Sequence, residues 1–96
     1  MPAYFAARLS VKDPDALAEY SRKAAPIISK FNGKLLFKGG AADNLVGQLE
    51  APNIAVFEFA EKAQIEAFFA SDEYKALTAL REKGADMVLS AHEGAQ

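Results

Sequence analysis

The sequence predicts an α+β sandwich in which one antiparallel sheet carries helices on a single face. Three observations lead there. Short segments with apolar residues at every second position recur along the chain, the mark of half-buried strands. Between them lie stretches with apolar residues at steps of three and four, the mark of helices packed by one stripe. The order of the two patterns is strand, helix, strand, strand, helix, strand, with a small extra hairpin.

The first strand is predicted from Tyr4 to Val11, with Phe5, Ala7, Leu9 and Val11 on one side and Tyr4, Ala6, Arg8 and Ser10 on the other. Asp13 and Pro14 then open a helix: the carboxylate can accept orphan amide hydrogens, and the proline stands where its missing N–H costs nothing. Leu17, Tyr20, Ala24, Ile28 and Phe31 form its apolar stripe. Pro26 is expected to kink it or to start a second short helix. Asn32 and Gly33 end it, either able to take a left-handed cap. Lys34 to Lys38 reads as a strand whose apolar face is Leu35 and Phe37, followed by a turn at Gly39 and Gly40. Asp43 to Glu50 is weakly patterned, and an irregular edge strand or hairpin arm is expected.

Pro52 precedes a stronger strand, Ile54 to Phe59, in which Ala55, Phe57 and Phe59 alternate with Ile54, Val56 and Glu58. Glu61 to Ala70 is predicted helical, anchored by Ile65, Phe68 and Phe69. Ser71 caps a further helix with Asp72 and Glu73 at the positive end of its dipole, and Gly84 stops it. Tyr74, Leu77 and Leu80 are its buried stripe, and Met87 to His92 is the last strand. This is the ferredoxin-like βαββαβ plan, in one domain spanning residues 1–96.

Composition narrows function by exclusion. Eleven basic and thirteen acidic side chains leave a net charge of −2, whereas a nucleic-acid-binding surface calls for a basic face. The absence of cysteine removes disulfides, thiolate metal sites and a cysteine nucleophile. No apolar run approaches the roughly 18 to 20 residues that cross a bilayer, and the amino terminus lacks the order of a secretion signal. The expectation is a cytoplasmic protein with no nucleic-acid or membrane partner and no cofactor. One histidine makes no metal site, and Asp13, Asp72 and Glu73 are accounted for by helix capping.

The uncovered sheet face carries the functional expectation. It is predicted to hold Tyr4, Arg8, Leu36, Lys38, Ile54, Val56 and Glu58, with either Ser90 and His92 or Met87 and Leu89 according to register. Such a face is too apolar for plain solvent and too charged for an ordinary core. A symmetric homodimer with its sheets face to face resolves the conflict and leaves Arg8, Lys38, Glu58 and His92 around an internal cleft. Arg8 and Glu58 read first as a structural ion pair and second as ligand anchors. His92 reads first as a solvated or hydrogen-bonded residue and second as a proton-transfer group.

With those residues in place, the chain resembles the bacterial family known as domain of unknown function 1330, within the dimeric α/β-barrel superfamily. The resemblance rests on Pro2, Ala3 and Tyr4, Asp13 and Pro14, Tyr20, Pro26, Gly33, Gly39 and Gly40, Leu45, Gly47, Pro52, Glu58 and Phe59. Ser71, Tyr74, Leu77 and Arg81, and finally Glu93 and Gly94, continue it. It departs at Asn53, where the family often has arginine, and at Val46, where it often has an acidic residue. The resemblance implies a ferredoxin-like protomer that pairs through its sheet into a dimeric α/β barrel. It carries over no catalytic residue. Relatives in the superfamily include cofactor-free monooxygenases, muconolactone isomerase-like proteins and haem-dependent enzymes, an analogy by fold.

The resulting expectation is a homodimer that binds a small anionic or carbonyl-bearing organic molecule. Tyr4, Arg8 and Lys38 would be its ligand-binding residues, and Glu58 or His92 the base for any cofactor-independent isomerase or monooxygenase-like chemistry. The alternative is a structural or protein-interaction dimer without catalysis.

Overall fold

Asp13 shows how local chemistry sets the first helix. Its Oδ1 accepts the backbone N–H groups of Asp15 and Ala16 at 3.1 and 3.2 Å, and Pro14 takes the first helical position. In this computed structural model, which describes residues 1–40, 42–48 and 50–94, the elements are β1 (Ala3–Val11), α1 (Pro14–Lys30), β2 (Lys34–Gly39), β3 (Asn53–Phe59), α2 (Lys62–Ala70), α3 (Asp72–Lys75), α4 (Thr78–Gly84) and β4 (Ala85–Glu93). The four strands form one antiparallel sheet in the order β2-β3-β1-β4. Helices cover one face only, and the molecule is 16 Å deep along its shortest axis.

Two expectations are corrected by the helices and the loop, and one is narrowed. α1 runs through Pro26 as one element, so no second helix starts there; Pro26 is exposed, so the Arg22 carbonyl that it leaves without a donor can be met by water. The predicted Ser71-capped helix is two. The Thr78 hydroxyl donates to the Lys75 carbonyl at 2.8 Å, and the Leu77 N–H reaches back only to Tyr74, which separates α3 from α4. Asp43 to Glu50, expected as an edge strand or hairpin arm, lies in no strand over its described residues, and Leu49 is outside them.

Phe68 is the centre of the core and has no exposed surface. Its ring meets Phe5 edge-on at 5.5 Å, Tyr74 at 4.5 Å, Phe59 at 6.1 Å and Phe31 at 6.2 Å, so α2 is joined to β1, β3, α3 and the end of α1 through one side chain. Two glycines allow the closest approaches. Gly33 lies under the Phe59 ring, where a Cβ would come within 2.5 Å, while the left-handed position at the end of α1 is taken by Asn32. Gly84 lies against the backbone of α1, where a Cβ would stand 2.8 Å from the Leu17 nitrogen. Its carbonyl also accepts the N–H groups of Lys12 and Asp13.

Because main chain cannot yield as a flexible side chain does, Gly84→Ala is expected to lower stability by about 1–3 kcal/mol. Phe68→Ala should cost about 3–5 kcal/mol. Urea denaturation midpoints check both, and an unchanged midpoint in Gly84→Ala would refute the close-packing account.

Candidate functional site

Strand register decides which predicted residues meet. Even-numbered residues of β1 point away from the helices, and their partners are Glu58 and His92 for Tyr4, Val56 and Ser90 for Ala6, and Ile54 and Val88 for Arg8. Lys34 stands beside Glu58. Lys34, Glu58, Tyr4 and His92 therefore form one row across the uncovered face. Of the two registers considered for the last strand, the one with Ser90 and His92 on this face is present.

Arg8 lies four residues from Tyr4, about 13 Å along the strand. The Arg8–Glu58 ion pair expected from sequence is accordingly absent: Glu58 has Lys34 for its neighbour, at 4.0 Å, and exposed Arg8 has no ion-pair or hydrogen-bond partner among the described residues. His92 Nε2 is 2.8 Å from the Ser90 hydroxyl, two residues back on the same face. Between the two charged ends lies an apolar band in which Phe37 and Val88 are 51% and 62% exposed. Both stand on the edge strands, β2 and β4, and their exposure is high for large apolar side chains.

β2 departs from simple alternation. Leu35 pairs with Phe57 and Phe37 with Val56, so Leu36 is an extra residue in a β-bulge. The shift moves Phe37 to the uncovered face and Lys38, now opposite Ala55, to the helix side. Both placements reverse the sequence expectation. Lys38 does not join Tyr4 and Arg8.

It reaches instead the rim of a cleft of about 370 Å³ between α1 and the sheet. The sheet wall includes Phe5, Ala7, Ala55 and Phe57, and the α1 wall includes Tyr20, Ser21, Ala24 and Ala25. Among the described residues no aspartate, glutamate or histidine lines it, and Lys38 is the one charged residue of the lining. Sequence reasoning looked for a site on the other side of the sheet. The available signal was the succession of small residues on α1 facing alanines of β1 and β3, where large side chains would have filled the space.

Tyr20 is a buried part of the lining. Its hydroxyl lies 2.6 Å from that of Tyr74, which in turn accepts from Arg81 Nη1 at 3.2 Å, while the Arg81 guanidinium stacks 5.6 Å from the Tyr74 ring centre. Burial, reinforced by Tyr74 and opposed by Arg81, pushes the Tyr20 phenol far above its ordinary value of 10. The phenol is thus a neutral wall group. Among the described residues no group of three or more acidic or imidazole side chains is placed to hold a metal ion, and no helix is long and apolar enough to cross a membrane.

The sequence pattern of the domain of unknown function DUF1330 matches residues 2–95, essentially the whole chain. The chain belongs to the DUF1330 family. Solved structures of similar fold include RPA0582, a protein of unknown function from Rhodopseudomonas palustris, which is 18% identical with a TM-score of 0.80 over 99% of this chain and 83% of that one. SnoaB, a cofactor-independent oxygenase from Streptomyces nogalater, is 8% identical with a TM-score of 0.71 over 99% and 94% of the two chains. A dimeric protein of unknown function and ferredoxin-like fold from Bacteroides fragilis is 9% identical with a TM-score of 0.62 over 97% and 96%. At these identities the likeness shows the fold: this DUF1330 chain shares the ferredoxin-like architecture. No curated protein matches the sequence.

Above pH 10 an unfolded Tyr20 loses its proton while the folded one keeps it. The folded state then binds more protons, and stability falls as pH rises. The expected slope from this group is up to about 1.4 kcal/mol per pH unit. It should vanish in Tyr20→Phe, as denaturation midpoints of the two proteins between pH 9 and 11 would show; equal slopes would remove Tyr20 as the cause.

Proposed function

We propose that this DUF1330 protein is a homodimer that binds a small organic molecule in each protomer, with the ligand in the cleft between α1 and the sheet. The observation that carries this reading is the cleft itself. Its volume falls in the range of small-molecule sites, roughly 300–1,000 Å³, and its lining is apolar with a few polar groups at the rim, as such sites are. Lys38 is the ligand-binding residue of the expected set that belongs to it.

The dimer is supported by the uncovered face, where Phe37 and Val88 stand exposed beside half-buried Ile54 and Val56. A second copy placed by a twofold axis would bury this band. Tyr4, Arg8, Glu58 and His92 are in this reading the polar frame of that contact. Arg8 has no ion-pair or hydrogen-bond partner among the described residues of one protomer and so has capacity for one across the contact. The similar fold of the Streptomyces oxygenase brings cofactor-independent chemistry to this chain as a rival reading. The absence of a carboxylate or imidazole in the cleft favours binding over a reaction that requires a protein base there.

Two measurements test the reading. Sedimentation should give a dimer for the native chain and a monomer for Phe37→Glu, and a native chain that sediments as single subunits would end the dimer proposal. Mass spectrometry of material released from natively purified protein should find a small organic molecule that is missing from Ser21→Phe. Position 21 is an exposed one on α1 whose new ring would enter the cleft. Identical extracts from both proteins would place the ligand elsewhere.

A further inference from the structure

The proposed binding role leaves the ligand unnamed, and the walls and charge of the cleft narrow it. Ala7 and Ala55 face it from the sheet, Ser21 and Ala24 from α1. Small residues on both walls leave the interval between helix and sheet unfilled. Phe5 and Phe57, with ring centres 6.2 Å apart and planes at 43°, add aromatic surface to the sheet side. An aromatic ring fits an apolar interval of this kind, where it can pack against the two phenylalanines.

The polar inventory fixes the other end of the ligand. The Tyr20 hydroxyl is engaged with Tyr74, and the Asn53 amide donates to the Leu9 carbonyl at 3.4 Å. Ser21 is neutral. Lys38 carries the one charge of the lining, is exposed at the rim, and has neither an ion-pair nor a hydrogen-bond partner among the described residues. No acidic side chain in the lining competes for it. A single ammonium with no second cation beside it suits one carboxylate, whereas a phosphate dianion is usually held by several donors.

We infer that the cleft takes a planar aromatic monocarboxylate, its ring between the alanine-lined walls and its carboxylate on Lys38. This assignment rests on the cleft being the binding site, and the test separates the two. Naphthoate and its uncharged analogue naphthamide are titrated at low salt into the native protein, Lys38→Gln and Ser21→Phe, with binding followed by calorimetry. Both positions are exposed, so folding is not at stake.

The expected result is a preference of the native protein for naphthoate by about three- to tenfold, a range set by the modest strength of partly exposed ion pairs. Lys38→Gln should abolish the preference, and Ser21→Phe should weaken both compounds. Equal affinity of the native protein for the two compounds, with both weakened by Ser21→Phe, would overturn the carboxylate assignment and leave the cleft reading standing. A preference that survives in Lys38→Gln would overturn the role of Lys38. No uptake of either compound at millimolar concentration, or indifference of both to Ser21→Phe, would overturn the assignment and the cleft together.

Discussion

The placement of α1 is the constraint on which the rest depends. Near its start the helix backbone rests directly on Gly84, and the amides of Lys12 and Asp13 bond the Gly84 carbonyl, which fixes that end against the junction of α4 and β4. Near its end, Ile28 and the Phe59 ring close around Gly33. A helix held at both ends cannot sink toward the sheet between them. Where its middle turns present Ser21, Ala24 and Ala25 above Ala7 and Ala55, there is too little side chain to fill the interval, and the cleft remains.

The bulge at Leu36 gives that cleft its charge. Without the extra residue, strict alternation would send Lys38 to the uncovered face and Phe37 into the space beneath α1. One inserted residue exchanges them: the phenylalanine joins Val56 and Val88 on the open face, and the lysine reaches the cleft rim. β2 is an edge strand, free on one side, which is where a bulge disturbs the fewest ladder hydrogen bonds. The same irregularity thus makes the open face more apolar and the cleft cationic.

What could be read from the sequence was what neighbouring residues settle among themselves. The Asp13 and Ser71 caps, the strand alternation around Phe5 and Phe57, and the helical stripe through Tyr20, Ala24 and Ile28 are each decided within one or two turns of chain. The bulge was not legible, since Leu35, Leu36 and Phe37 are all apolar and fit either face, and only pairing with β3 exposes the extra residue. The break between α3 and α4 is marked by the Leu77 N–H bonding Tyr74 and the Thr78 hydroxyl bonding the Lys75 carbonyl, contacts that the helical spacing does not announce. The site was missed for a related reason. A cavity is a deficit of volume between distant segments, and nothing local in the sequence shows that the alanines of α1 will stand opposite those of β1 and β3. Tyr4, Glu58 and His92 share one face as alternation predicts, whereas the separation of Arg8 from Glu58 is set by the pairing register, which puts Ile54 and not Glu58 beside Arg8.

The sheet then separates two kinds of chemistry. Every carboxylate and imidazole named as a candidate base, Glu58 and His92, lies on the uncovered side, and the cleft lies on the other. A side chain cannot cross a paired sheet without breaking its ladder, so neither of these two groups reaches the cleft through it. In the proposed reading the ammonium of Lys38 at the rim attracts an acid in its ionised form, and with both candidate bases on the far side of the sheet the arrangement suits holding an anion better than taking a proton from it.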